Sequence, residues 1–371
     1  MLYNVGVICG FQAGTNKAHA INTLNLANGF LRLPQVDSVT VFAQSRDPVS
    51  ATEGWKREFE FVSELSLRYY SSYEELYGLL GSSGCHFYYV RDYKSTVMLS
   101  QLGVPYVVES HAHPSNKSPD LLAMLRQTHC PSCIALTTIS DTLRKAFISQ
   151  GAKASKVHIN PDCVDYEQFA QCRFTPKKKN TIGYAGHLYA YKGIGCALWA
   201  MRLLPRHTLS VAGGTRLQVS MWSLLSLLLG VRSRVKFHGW IPHKEIPQFL
   251  ASTETLLLPP SKHHPSARWT SPVKLGEYLA SGARVVCSDI DALKDWVTED
   301  QVWFFQADSY HSLSNVILAI EDSEVNYKAD AQLKMAERLD YSTKAAWCLS
   351  SVVEKTNCVK LNDRDSVLKP I

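Results

Sequence analysis

The sequence predicts an α/β protein of two doubly wound, Rossmann-like domains, and three observations carry that expectation. Short apolar runs of strand length, such as Tyr3-Asn4-Val5-Gly6-Val7-Ile8-Cys9 and His86-Phe87-Tyr88-Tyr89-Val90, alternate with longer helical segments, the pattern of parallel βαβ units. Each half opens with a strand, a glycine-bearing loop and a helix: the loop 10–14 precedes a helix over 17–30, and the loop 186–194 follows the strand 181–185. Between the halves lies Phe174-Thr175-Pro176-Lys177-Lys178-Lys179-Asn180, polar, basic and proline-containing, which reads as the linker.

Composition fits this size and class. The 371 residues leave room for two ordinary domains, 46% of them are hydrophobic, and only 19% are charged, so cores are expected and wholesale disorder is not. A net charge of +6 suits an anionic ligand or membrane surface, but is too weak and dispersed to argue for nucleic acid. Ten cysteines without framework spacing are expected to be reduced thiols, as in a cytoplasmic protein. The N-terminus lacks a basic leader region, and no apolar run approaches the length that spans a bilayer.

In the first half, strands are expected at 3–9, 39–42, within 59–71, and at 86–90, 106–109, 134–139 and 157–159. Ligands of open parallel sheets sit beyond the carboxyl ends of strands, which singles out Arg91, Glu109 and His111. Arg91 and Glu109 read equally well as a salt bridge between two loops. The first loop holds Gly14, with Asn16 and His19 behind it, but no Gly-x-Gly-x-x-Gly, so the dinucleotide fingerprint is absent. Cys130-Pro131-Ser132-Cys133 lacks the second ligand pair that zinc needs and does not open a helix, so it reads as structural. Asp162 and Asp165 read as turn caps rather than a metal pair.

In the second half, strands are expected at 181–185, 209–212, 235–241, 255–258, 285–288 and 302–304. The apolar segment 218–230, with Met221 and Trp222 inside it and Arg216, Arg232 and Arg234 around it, reads as the core-facing helix of an α/β unit. A membrane-surface helix is the alternative. Gly186 would let the backbone approach a ligand, and Lys192 offers a point positive charge to an anion. The stretch Thr270-Ser271-Pro272-Val273-Lys274-Leu275-Gly276-Glu277-Tyr278-Leu279-Ala280-Ser281-Gly282 reads as loop and helix. Ser271 caps it, Pro272 fits the first helical position, and Gly282 ends it before a buried strand. Such a helix start attracts phosphate. Lys274 in its first turn calls for a nearby anion, and Glu277 could accept hydrogen bonds from a ribose diol. A capped surface helix with an ordinary charge pair explains the same residues.

The stretch resembles the Ser-Pro-x-Lys-x-x-Glu-Tyr-x-Ala-x-Gly signature of the family-four retaining glycosyltransferases, which have the GT-B fold of two Rossmann-like domains facing a central cleft. Gly186-His187-Leu188-Tyr189-Ala190-Tyr191-Lys192-Gly193 is similar to that family's Gly-x-Leu-x-x-x-Lys-Gly loop. Phe237-His238-Gly239-Trp240-Ile241 resembles the strand end where the nucleotide base lies, and Val108-Glu109-Ser110-His111-Ala112 the strand-end histidine that contacts the transferred sugar. The resemblance implies a retaining glycosyltransferase moving a sugar from a nucleotide-sugar to a hydroxyl of a glycan or glycolipid. His111, Lys192 and Glu277 would be its catalytic residues. Gly14, Gly186, His187, Lys192, Gly239, Arg268, Thr270, Ser271, Pro272, Val273, Lys274 and Glu277 would hold the donor. It implies no metal and no cofactor besides the donor substrate. Domains are expected at 1–173 and 181–335, with 336–371 returning to brace the first through a helix near Tyr341. Two departures stand out: His187 replaces an arginine common after the glycine, and Trp269 stands where many relatives have the first glutamate of Glu-x7-Glu. A GT-B epimerase or phosphorylase, or a non-catalytic nucleotide-sugar-binding scaffold, is the alternative reading. The place of work is expected to be cytoplasmic, with peripheral membrane contact as an option.

Overall fold

The structure is a computed structural model and describes residues 2–15, 18–115, 118–269, 273–321 and 328–365. The chain forms two compact units, Met1–Pro161 with Tyr341–Ile371, and Asp162–Asp340.

The first unit holds strands β1 (Tyr3–Gln12), β2 (Val36–Gln44), β3 (Ser66–Tyr70), β4 (Phe87–Val90), β5 (Tyr106–Ser110), β6 (Cys133–Thr138) and β7 (Val157–Ile159). Helices α1 (Ala18–Leu31), α2 (Pro48–Glu58), α3 (Tyr73–Ser82), α4 (Tyr93–Gln101), α5 (Pro119–Gln127) and α6 (Asp141–Ser149) connect them. All pairings are parallel, in the order β3-β2-β1-β4-β5-β6-β7. Every residue of β4, β5 and β6 is buried, as a parallel sheet covered by helices on both faces requires. Of the third expected strand only Ser66–Tyr70 is extended, because residues 60–64 coil into a 3₁₀ turn.

In the second unit the strands are β8 (Lys178–Ala185), β9 (Thr208–Ala212), β10 (Val235–Gly239), β11 (Thr253–Leu258), β12 (Arg284–Ser288) and β13 (Trp303–Phe305), in the parallel order β10-β9-β8-β11-β12-β13. Its helices are α7 (Tyr166–Gln171), α8 (Ile194–Ala200), α9 (Arg216–Leu228), α10 (Ile246–Ala251), α11 (Val273–Ala280), α12 (Asp291–Lys294), α13 (Tyr310–Glu321) and α14 (Ala329–Arg338). In each sheet the strand order reverses beside the unit's first strand, between β1 and β4 and between β8 and β11. Those are the switch points where doubly wound sheets bind ligands.

Two boundaries differ from the sequence expectation. Residues 162–173 belong to the second unit, because Phe169 lies in its core and Val164 donates to the Leu339 carbonyl at 2.9 Å. The lysine run is not wholly linker either, since Lys178 and Lys179 already lie in β8. Asp165 caps α7, accepting from the Gln168 amide at 3.3 Å, as a turn cap would. The closing helix α15 (Tyr341–Asp365) belongs to the first unit, five residues after the expected start of the returning segment. It lies so tightly on α1 that a Cβ on Gly29 would sit 2.8 Å from the Tyr341 backbone, and Tyr341 donates to Asn22 Oδ1 at 2.9 Å.

A third difference concerns α9. The core-facing reading holds for one side only: Val219, Trp222, Leu225 and Leu229 pack on the core. The opposite side leaves Leu217, Met221, Leu224, Leu227 and Leu228 between 58% and 75% exposed.

Candidate functional site

In the second unit the sheet's switch point is built by the loop after β8 and the loop after β11. Gly193 has a left-handed φ of 82°, and a Cβ there would run into the Pro259 carbonyl oxygen. Only glycine lets the loop close this tightly on the end of β11, and that closure fixes Lys192 beside the switch point. The two loops are tied further. The Ser261 amide donates to the Tyr191 carbonyl at 2.8 Å, and His264 stacks on Tyr191 at 3.8 Å between centroids. Tyr191 stacks in turn on Tyr189 at 5.6 Å, and Tyr189 lies against His187 at 5.4 Å. No local sequence pattern announces this aromatic stack, because its members come from two loops.

Lys192 carries its amine 5.4 Å over the Tyr191 ring. Burial alone pushes its pKa below the ordinary lysine value, and no described residue forms an ion pair with it. His187 is held below the ordinary histidine value by burial, then by Lys192 and Lys274, so near neutral pH it is an uncharged ring. It does not supply the charge of the arginine it replaces.

Helix α11 supplies the acidic partner. Tyr278, fully buried, accepts from the Ala185 amide at 2.7 Å, which pins α11 to the end of β8 just before Gly186. One residue earlier, Glu277 is also buried. Lys274 donates to its Oε2 at 2.7 Å, and His243 Nε2 stands 3.8 Å from its Oε1. Burial raises the carboxyl pKa, but Lys274 and His243 outweigh it and hold the group ionised. The structure therefore brings Lys274 and Glu277 together as an i, i+3 pair and adds His243, which the sequence did not single out. Gly186 and Gly239 lie at the ends of β8 and β10, Val273 opens α11, and Arg268 is exposed at the end of a 3₁₀ turn. Thr270, Ser271 and Pro272 lie outside the described residues.

In the first unit, His111 follows β5 and lines a cavity of about 320 Å³ with Arg91, Tyr93, Glu109, Ser110 and Asp120. His111 Nε2 lies 2.7 Å from Glu109 Oε1, and Arg91 Nη2 lies 3.1 Å from His111 Nδ1. Arg91 Nε is 3.6 Å from the same carboxylate oxygen, and Lys344 of α15 pairs with its Oε2. Burial raises the Glu109 pKa, yet Lys344, His111 and Arg91 together hold it well below the usual range. The salt-bridge reading of Arg91 and Glu109 is thus the observed one. His111 is oriented by a carboxylate, with its ring partly open to the cavity. Lys344 was not found from the sequence, since it lies 235 positions from Glu109 in an otherwise ordinary helix.

Other expected residues are packed. A Cβ on Gly14 (φ 78°) would sit 2.9 Å from the Ala51 backbone, so packing against α2 already demands glycine there. Asn16 lies outside the described residues, and His19 packs on Phe11 at 4.5 Å. The nine described cysteines are free thiols, and burial pushes Cys133 up to about 11, so the Cys-x-x-Cys is structural. Among the described residues no helix is long and apolar enough to cross a membrane.

Residues 165–344 match the domain family Glycosyl transferases group 1. No curated protein matches the sequence. Among solved structures, HepE of Anabaena in complex with UDP is 17% identical with a TM-score of 0.71, covering 94% of this chain and 100% of that one. A glycosyltransferase from Rickettsia africae is 10% identical with a TM-score of 0.74, covering 96% and 99%. Sucrose-phosphate synthase from Thermosynechococcus elongatus is 14% identical with a TM-score of 0.69, covering 96% and 100%. The matched domain spans Lys192, His243, Lys274 and Glu277, so residues 165–344 form a glycosyl transferases group 1 domain, and the architecture of the two units is that of GT-B proteins.

Proposed function

We propose that this enzyme moves a sugar from a nucleotide-sugar to a hydroxyl of a glycan or glycolipid acceptor, with retention at the anomeric carbon and without a metal ion. The observation that carries the reading is the pairing of a buried, ionised Glu277 with a partly exposed Lys274, in the same domain as the half-buried Lys192, with which no described residue forms an ion pair. A donor would supply the missing partners. Its diphosphate would take the charge of Lys192 and Lys274, with amides of the loop ending at Val273 and those at Gly186 beside it. Its ribose diol would donate to Glu277. The two lysines would then stabilise the leaving diphosphate, the role a metal fills elsewhere. Gly239, His187 and Arg268 would border the nucleotide, and Thr270, Ser271 and Pro272 the helix start. HepE of Anabaena has been solved with UDP and with UDP-glucose, which makes uridine donors the first to try.

His111 would position the sugar. Its ring is held between Glu109 Oε1, 2.7 Å from Nε2, and Arg91 Nη2, 3.1 Å from Nδ1, so it is oriented toward the cavity. The acceptor's proton would pass to the departing phosphate oxygen.

The test is incubation of the full chain with UDP-glucose and donors of other bases and sugars, with and without chelator. Slow release of free nucleotide, insensitive to chelator, is expected. Inversion at C2 would mark an epimerase, and binding without turnover a scaffold. Lys192→Ala and Glu277→Ala should each cut donor use by about a hundredfold or more, and normal turnover in both would remove the site assignment.

A further inference from the structure

Among the described residues of its unit, nothing covers the outer side of α9. Leu217, Met221, Leu224 and Leu228 recur at spacings of four, three and four and form one stripe, with Leu227 beside it, and all are exposed. Such a helix, apolar on the core side and again on the outer side, is what the interior of a protein or a hydrocarbon boundary calls for. The stretch of chain that carries the helix is basic, with Glu321 of α13 approaching it at His207, 3.9 Å away. Between Gln168 and Lys244 the sequence has twelve lysines and arginines and no aspartate or glutamate, leaving 27 basic against 33 acidic residues elsewhere. Exposed Arg216 and Arg232 stand at the two ends of the helix, with Arg202 and Arg206 after the neighbouring α8 and Lys236 on β10. Arg216 lies in the first turn, where a cation opposes the helix dipole and no acidic residue offsets it. Folding of the unit does not ask for an arginine there; an external anion does.

From this we infer that α9 is an interfacial helix that docks the second unit on an anionic bilayer. The helix lies flat, about 20 Å long, with its leucine stripe in the acyl boundary and its flanking arginines among the headgroup phosphates. A second copy of the chain fits less well, because a two-fold pairing of this face would set its cations against one another. The helix is too short to span, so it lies on the surface. The inference is independent of the donor site, since none of these residues belongs to it.

The test is co-flotation of the full chain with vesicles of phosphatidylcholine alone and vesicles that also contain phosphatidylglycerol. The wild-type chain should float with the anionic vesicles, and added salt should weaken it. Leu217→Ser with Leu224→Ser and Leu228→Ser should cut the bound fraction about tenfold or more, with nucleotide release from a soluble donor unchanged. Arg216→Gln with Arg232→Gln should remove most of the preference for anionic lipid. If the triple variant misfolds, the single Met221→Asp change reads the same effect. Wild-type protein that stays unbound with both vesicle types, or variants that bind as well as the parent, would overturn the proposal. So would a wild-type dimer that the triple variant dissociates without any vesicle binding.

Discussion

Each unit buries one glutamate among cations, and the two sites differ in how those cations are held. Around Glu109 the partners are themselves enclosed. Lys344 is 4% exposed and Arg91 11%, and they reach the carboxylate from β4's end and from α15. Around Glu277 the main partner is Lys274, 28% exposed and three residues away on the same helix. Removing water from an ion pair costs most where neither partner can return to solvent. The first cluster is therefore a fixed strut that holds His111 in place. The second is a pair whose cation keeps access to solvent, and in the function proposed above it would turn to an incoming phosphate while the carboxylate met a sugar hydroxyl.

Breaking the strut should have the largest effect. Glu109→Gln strands Lys344 and is expected to lower unfolding stability by about 3–5 kcal/mol in a denaturant titration. A loss under 1 kcal/mol would show that Lys344 reaches water after all. Next comes Lys192→Ala, expected to lower kcat/KM for the donor by about 10²- to 10³-fold, as loss of one stabilising group for a developing anion does. Glu277→Gln should cost about 10- to 100-fold in donor kcat/KM, the range of a hydrogen bond to a charged group, while stability falls by only about 1 kcal/mol. An equal stability loss in the two glutamine variants would erase the distinction between strut and working pair.

The acid limb sharpens it further. Both carboxyls are depressed below the unfolded value of about 4.3, so their stabilisation is present above that pH and is lost as pH falls through the folded values. Glu109 is held further down, and Glu109→Gln should flatten the acid slope more than Glu277→Gln. The smallest effect concerns Lys192, whose lowered pKa means that UDP binding should weaken, as pH rises, before an ordinary lysine would lose its proton. In Lys192→Arg that alkaline loss should vanish.

Much of this was legible in the chain. The strands of both sheets follow from apolar runs bounded by glycine, and the positions of Lys192, Lys274 and Glu277 follow from loop and helix-start chemistry. What was not legible is what depends on distant partners. Nothing near Lys344 says that its amine ends on Glu109, and His243 sits in a turn with no pattern of its own. Helix α9 failed for a different reason: apolar residues on both sides leave no periodicity to tell the covered face from the open one. The unit boundary moved because proline and lysines mark polarity, whereas Val164 and Phe169 decide which core a segment joins.

The return of α15 to the first unit has a consequence for synthesis. On the ribosome, residues 162–340 emerge as an uninterrupted block and can complete their core at once. The unit begun first must wait, with Glu109 lacking its lysine and α1 its covering helix, until α15 has left the tunnel. The half made earliest is thus the half finished last, and a nascent chain halted before Tyr341 should expose it to protease while the later half resists.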